Sequence, residues 1–460
     1  MIVNTPTSLI SDIVAAQRAY FRTDVTRSVD FRLDQLIKLE KGIRRHERAL
    51  CEALQKDLNK SYEEAYMTEI AILLMEIENF KRHLRGWAAP SKKRTPLMLF
   101  PSRSAIITEP LGVSLIIAPW NYPVQLLLNP LIGAIAAGCC AVLKPSPYVP
   151  HVAQELELLI RELYDPRYVA IVQGNRDVNT ALLACRYDVI FFTGSPKLGR
   201  VVMRAAAEHL TPVVLELGGK SPVVIDSTAD IRVAARRVAW GKTLNCGQTC
   251  IAPDYVLVAS DVKELFVQEF GRAVRELHGD DVQRSPHYVR MVSDAAFERV
   301  SGYMADGRVV YGGRVDAKDR YIEPTLLDNV AMDSPVMTEE IFGPVLPIVE
   351  VGCVDEAIAF INQREKPLAL YAFAEEHIAR RVIDHTSSGG ACINDVIMHI
   401  ANGNMPFGGV GQSGMGRYHG RDSLYAFSHR RSMLTTPTWL DMPFRYMPYR
   451  WFKWAKRFMK

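Results

Sequence analysis

Two side chains in this sequence have the type and setting needed for covalent catalysis followed by hydrolysis. Cys250 ends the run Asn245-Cys246-Gly247-Gln248-Thr249-Cys250, and Glu216 opens Glu216-Leu217-Gly218-Gly219-Lys220. A thiolate adds to a carbonyl carbon, and a carboxylate takes a proton from the water that releases the acyl group. Neither residue is diagnostic alone. Buried cysteines usually pack as small apolar side chains, and most glutamates are solvated. The neighbouring Cys246 reads as structural.

Further groups have a chemical and a plain reading side by side. Phe192-Thr193-Gly194-Ser195-Pro196-Lys197-Leu198-Gly199 follows an apolar run and opens a helical one. It is either a phosphate cradle at a helix N-terminus, with Gly194 and Gly199 allowing close approach, or a strand-to-helix turn capped by Ser195. In Pro119-Trp120-Asn121-Tyr122-Pro123, the Asn121 amide either donates to a developing oxyanion or stabilises a turn. Lys144, ahead of Pro145-Ser146-Pro147, either holds ribose or phosphate oxygens at a sheet edge or is solvated. Glu339-Glu340-Ile341-Phe342-Gly343-Pro344 either grips a sugar and presses on a flat ring, or is a capped loop. Gly409-Val410-Gly411-Gln412-Ser413-Gly414 fits G-x-G-x-x-G but lacks the flanking strand and the later acid. It reads as a flexible loop.

The elements that must position these residues follow from patterning. The chain has 460 residues, 48% hydrophobic and 23% charged, as in ordinary soluble globular proteins. The first ~90 residues read as helical, including a run over 63–87. Short apolar runs at 113–117, 139–143, 168–172, 189–192 and 212–215 alternate with helical runs at 151–163 and 198–208, which predicts a doubly wound parallel sheet. A second α/β series places strands at 223–225, 252–258, 345–351 and 369–373. The turn at Glu216–Gly219 divides the two series, so the paired thiol and carboxylate are expected in a cleft between domains.

Net charge is +4, with no long basic run in the body of the chain, which excludes a nucleic-acid surface. Met1 to Ile10 has neither basic head nor apolar core, so no secretory signal is expected. The eight cysteines form no regular framework; reduced thiols in the cytoplasm and no metal site are expected. Residues 110–143 carry no charge but are broken by prolines and amides, and read as strand, loop and helix rather than a membrane span.

Taken together and in order, P-W-N-Y-P, K-P-S, F-T-G-S, E-L-G-G-K-S-P, G-Q-T-C, I-E-P-T, E-E-I-F-G-P and P-F-G-G resemble the aldehyde dehydrogenase superfamily, from about Arg32 to Arg431. N-C-G-Q-T-C-I-A-P-D-Y and the short amino-terminal region resemble its class 3 branch of fatty, aromatic and coniferyl aldehyde dehydrogenases. The resemblance implies oxidation of a medium- or long-chain aliphatic or aromatic aldehyde to its acid, with NAD and/or NADP. It implies Cys250 as nucleophile, Asn121 with the Cys250 N–H as oxyanion hole, and Glu216 as general base. It puts Lys144, Gly194, Ser195, Gly199, Glu340, Phe342 and Trp120 against the cofactor, and Tyr122 in the substrate pocket. It implies an NAD(P)-binding domain over 1–217, interrupted by oligomerisation strands at 95–109. A catalytic domain over 218–412 follows, then a return to the cofactor domain and an oligomerisation strand over 413–436. A homodimer is expected. Acyl transfer to coenzyme A and a non-catalytic cofactor-binding relative are the alternatives. Where the family often has a ribose-gripping glutamate, this chain has Pro147, which implies that NADP is accepted beside NAD.

Residues 437–460 read as a tail helix. Trp451, Trp454, Ala455 and Phe458 share one face, while Arg450, Lys453, Lys456, Arg457 and Lys460 take others. The tail either packs near the substrate entrance or makes weak contact with a membrane surface.

Overall fold

A computed structural model describes residues 4–458 of the chain. Helix α1 (Ile10–Phe21) is followed by α2 (Val29–Leu58), which starts where the Ser28 hydroxyl accepts the Phe31 N–H and ends at left-handed Asn59. Leu36, Leu39, Ile43, Leu50 and Leu54 form its buried stripe. The helix expected at 63–87 is not continuous. Helix α3 (Tyr62–Ala65) passes through a π-helical turn (Tyr66–Ile70) into α4 (Ala71–Ala88). Positions five apart do not share a face of a regular α-helix, whereas the wider turn brings them together. Both Glu64 and Glu69 are consequently buried.

Three strands form a separate antiparallel sheet: β1 (Ser91–Lys93), β2 (Arg103–Pro110) and, from the far end of the chain, Ser428–Thr435. The extended strand predicted over 95–109 therefore begins later, and Leu97–Leu99 is a 3-10 turn.

The chain then enters the first large sheet through β3 (Val113–Ile117), α5 (Gln125–Ala137) and β4 (Cys140–Lys144). It continues through α6 (Pro150–Leu163), β5 (Val169–Ile171), α7 (Arg176–Leu183), β6 (Val189–Gly194), α8 (Pro196–Ala207) and β7 (Val213–Leu217). These five strands are parallel, in the order β7-β6-β3-β4-β5. Helices cover both faces, so β3 and β4 are buried throughout and read as unbroken apolar runs. From β3 the chain winds outward through β4 and β5, then returns to place β6 on the other side of β3. The sense of winding reverses between β3 and β6, and a crevice opens at the carboxyl ends of strands at such a reversal.

After Leu217 the chain crosses to a second sheet. It comprises β8 (Pro222–Ile225), β9 (Tyr255–Ala259) after helix α9 (Ile231–Thr243), β10 (Arg308–Tyr311), β13 (Thr325–Asp328), β14 (Val345–Val351), β15 (Ala369–Phe373) and β16 (Gly390–Ile393), in the order β10-β13-β14-β9-β8-β15-β16. Only the β10–β13 pair is antiparallel. A two-stranded hairpin, β11 (Val315–Asp316) with β12 (Tyr321–Ile322), lies outside it. Strands β10, β13 and β16 add to the four expected.

The glycine-rich run at 409–414 is not a free loop. Strand β17 (Gly414–Met415) pairs antiparallel with β7, Gly414 opposite Glu216, and extends the first sheet to six strands. These ladder hydrogen bonds fix the segment beside the carboxylate. The last strand, β18 (Ser428–Thr435), completes the three-stranded sheet.

The tail is helical only over Phe452–Phe458, after a 3-10 turn at Pro443–Arg445. Pro443 and Pro448 prevent one helix from spanning 437–460. Trp439, Trp451 and Phe452 are exposed. The side chains of Trp454, Ala455 and Phe458, and the whole of Lys460, lie outside the described residues. Among the described residues no helix is long and apolar enough to cross a membrane.

Candidate active site

The crevice at the β3–β6 reversal is a cavity of about 300 Å³ facing the second sheet. The chain leaving β3 contributes Trp120 and Asn121, the end of β6 contributes Thr193, Gly194 and Ser195, and β7 contributes Glu216. From the opposite side come Cys250, Arg299, Glu340 and Phe342. Residues far apart in sequence thus share one cavity because the first sheet presents the carboxyl ends of β3, β6 and β7, while the second presents the segments that enter β9 and β14.

The loop carrying the thiol is held in an unusual conformation. Asn245 and Cys246 are successive left-handed residues, with φ of 51° and 54°. Strain of this kind persists only where surrounding contacts over-determine it. Here the Asn245 N–H donates to Glu64 Oε1 at 2.9 Å, and Asn245 Nδ2 donates to the carbonyls of Asn121 and Gln248, each at 3.0 Å. The Gln248 amide donates to the Asn245 and Arg290 carbonyls, each at 3.1 Å. Asn121 Nδ2 in turn donates to the Gln248 carbonyl at 3.0 Å, which ties the β3 loop to the thiol loop. Cys246 is fully buried, its sulfur 3.6 Å from the Tyr288 hydroxyl, in keeping with a structural role.

Burial raises the Cys250 thiol pKa, and the charges of Glu340 and Glu216 add to it; the backbone N–H groups of Cys250 and Ile251 act in the opposite direction. Glu216 is 3% exposed and neither carboxylate oxygen has a hydrogen-bond partner among the described residues. Burial alone pushes its pKa well above the usual carboxyl range. Glu340 is raised to about 8, by burial first and Asp254 second, while a bond from the Gly219 N–H at 3.2 Å opposes the shift. Its carboxylate lies so close over Gly218 that a Cβ there would sit 2.0 Å from Oε2. Phe342 packs edge-on against Trp120, with ring centroids 5.4 Å apart at 82°, so the two aromatics form a wall.

Three residues expected at the site do not line this cavity. Lys144 ends β4, is buried, and donates to the Pro145 carbonyl at 2.8 Å; desolvation lowers its pKa to about 8. Gly199 lies in α8, where an added Cβ would meet Leu217 at 2.7 Å, so its bareness lets α8 lie close on β7. Tyr122 is buried with its hydroxyl bonded to Thr249 Oγ1 at 2.6 Å and Lys60 over its ring. Ser195 caps α8, accepting the Leu198 N–H at 3.4 Å. Sequence reading missed Arg299, whose guanidinium holds the Glu340 and Ile341 carbonyls, and Thr193, whose buried hydroxyl has no partner among the described residues. Thr193 sits inside a quoted motif; Arg299 carried no local signal.

Residues 5–433 match the family model described as "Aldehyde dehydrogenase family". The chain belongs to the aldehyde dehydrogenase family. It is similar to 4,4'-diaponeurosporen-aldehyde dehydrogenase of Staphylococcus aureus, 47% identical over 96% of this chain and 97% of that protein. It is also similar to the dog protein named aldehyde dehydrogenase, dimeric NADP-preferring, at 45% identity over 96% and 98%. A solved structure described as the substrate-bound state of Staphylococcus aureus AldH superposes with a TM-score of 0.96 at 46% identity, covering all of both chains. The two sheets are therefore those of the aldehyde dehydrogenase fold, and the protein is an oxidoreductase that acts on aldehydes with NAD and/or NADP.

The isolated Glu216 carboxyl has a consequence for stability. Because its pKa in the fold is raised above the ordinary value of 4.5, folding favours the protonated form. The stability it contributes is full below that value and is lost as pH rises toward the elevated one. Glu216→Gln removes this dependence. In scanning calorimetry the Gln variant is expected to melt above the native protein at pH 8, with the gap narrowing toward pH 5; a constant gap would contradict the assignment.

Proposed function

We propose that this aldehyde dehydrogenase oxidises medium- or long-chain aliphatic or aromatic aldehydes to carboxylic acids through a thioester on Cys250. The observation that carries the reading is the single cavity shared by Cys250, Asn121 and Glu216. In the proposed sequence the Cys250 thiolate adds to the aldehyde carbon and gives a thiohemiacetal. The second Asn121 amide hydrogen and the Cys250 N–H donate to the resulting oxyanion. When bound, the oxidised nicotinamide supplies the hydride acceptor that converts this adduct to the thioester. Glu216 then takes a proton from water, which attacks the thioester carbonyl; the carbon–sulfur bond breaks, and the acid leaves. A buried carboxylate beside the sulfur favours water over coenzyme A as acyl acceptor. Full occupancy of the three catalytic positions speaks against a non-catalytic role.

The cofactor residues fit a dinucleotide. Lys144 is a buried amine at the end of β4, Thr193 has a buried hydroxyl without a partner among the described residues, and α8 presents its N-terminus beside Gly194 and Ser195. We assign Lys144 to the adenosine ribose, Ser195 and Gly194 to the pyrophosphate, and Glu340 to the nicotinamide ribose. Phe342 and Trp120 pack by the nicotinamide ring. Gly199 acts indirectly, by seating α8. Pro147 is exposed and offers no carboxylate to repel a 2′-phosphate. Tyr122 acts from behind the cavity, through its bond to Thr249 beside Cys250. Residues 1–217 and 413–436 are read as the cofactor domain with its β2–β18 extension, and 218–412 as the catalytic domain. The outer edge of β18 suits pairing in a homodimer, as the name of the dog relative suggests for that protein. All eight cysteines are free, which suits the cytoplasm. Exposed aromatic residues and the unbalanced cations Arg450, Lys453, Lys456 and Arg457 favour contact of the tail with an anionic membrane surface.

Three outcomes are expected. Cys250→Ala abolishes reduced-cofactor formation from hexadecanal or benzaldehyde while fluorescence titration still reports cofactor binding; near-normal turnover would remove Cys250 from its role. Values of kcat/KM for NAD and NADP lie within about a hundredfold of each other, ~2.7 kcal/mol; a larger preference for NAD would refute the Pro147 argument. Full-length protein floats with anionic liposomes better than a chain ending at Pro448, and equal flotation would end the membrane reading.

A further inference from the structure

Resting on the oxyanion role of Asn121, we propose that the buried Lys60–Glu69 ion pair is a positioning device that sets the height of the Asn121 loop over the Cys250 sulfur. Both side chains are 0% exposed, and Lys60 Nζ lies 2.8 Å from Glu69 Oε1. The pair grips the loop at four points. Lys60 Nζ donates to the Asn121 carbonyl at 3.4 Å and lies 4.3 Å from the Tyr122 ring centroid. Glu69 Oε2 accepts the Val124 and Gln125 N–H groups at 2.8 and 3.3 Å, and so caps the first turn of α5. The loop is thus held at Asn121 and on its carboxyl side.

The Asn121 carbonyl receives a second donor, Asn245 Nδ2, from the strained segment ahead of Cys250. That segment is anchored by Glu64, one π-helical turn away from Glu69. Helix α3 and the π-helical turn that follows it therefore hold the thiol loop with Glu64 and the oxyanion loop with Glu69. Burying an ion pair is at best near neutral for stability, so stability alone does not account for a lysine and a glutamate here. A hydrogen-bond donor for an oxyanion acts only within a narrow distance of the charge it meets, and fixing the Asn121 backbone with these contacts supplies that constraint. Neither residue lines the cavity, so both act through Asn121.

The experiment is a double-mutant cycle between the pair and Asn121, with kcat, the cofactor Kd and the thermal midpoint as readouts. Lys60→Met with Glu69→Gln neutralises the pair without leaving a lone buried charge. Glu69→Asp keeps the charge but shortens the reach, and serves if the first variant does not fold. Asn121→Ala alone is expected to lower kcat by about 100-fold or more. Altering the pair is expected to lower kcat about tenfold with Asn121 present, and less than about twofold in the Asn121→Ala background, while cofactor Kd stays within about twofold in both backgrounds. An equal loss in both backgrounds, or no loss in either, overturns the positioning role. If Asn121→Ala itself leaves kcat unchanged, the oxyanion assignment fails instead.

Discussion

Burial of Glu216, in the same cavity as the partly exposed Cys250 where the two sheets meet, is the constraint on which the rest of the structure depends. The first sheet delivers the carboxyl ends of β3, β6 and β7 to one crevice, and the second delivers the segments that precede β9 and β14, so groups from both share a poorly solvated cavity. Desolvation raises the pKa of the thiol and of the carboxyl for the same reason. Both proposed roles, thiolate nucleophile and carboxylate base, use the ionised forms that burial disfavours, and a cationic nicotinamide bound beside them would act against that desolvation. The same low dielectric strengthens each hydrogen bond aimed into the cavity.

Water exclusion requires tightly fitted walls, and the fit is made by backbone as much as by side chains. The left-handed pair Asn245–Cys246 turns the thiol loop toward the cavity and keeps Cys246 out of it. Glu64, Asn121 and Gln248 hold that conformation. Phe342 is also left-handed, with φ of 50°, and its ring meets Trp120 from the other sheet. Strain in the thiol loop is thus met by contacts from the loop after β3 and from the helix α3 segment. A chain held in this way loses little order when a substrate enters, which suits a reaction that needs donors in place before charge develops.

Much of this was legible in sequence. Strands β3, β6 and β14 stand out because a strand covered on both faces is an uninterrupted apolar run. Asn121 and Glu216 were legible because each sits in a short motif at the end of such a run, where parallel topology must bring residues to one edge; Cys250 was legible from its motif alone, since it lies between α9 and the start of β9. Strand β16 was not, since Gly390-Ala391-Cys392-Ile393 has little pattern and gains its place by pairing with β15. The run Gly409–Gly414 misled in the opposite direction: its glycines suggest mobility, yet ladder bonds to β7 fix it beside Glu216. Lys60, Glu64 and Glu69 were invisible because charged residues on a helix ordinarily face solvent, and only the π-helical turn carries both glutamates inward.

The sequence by itself determined the order of elements, the parallel character of the sheets and which side chains have reactive chemistry, because these follow from local patterning and functional-group identity. The tertiary structure alone decided which of those groups share a cavity, which glycines pack rather than bind, and which buried charges hold the loops. Those outcomes depend on distances between segments remote in the chain, and such distances arise only when the sheets, helices and strained turns are packed together.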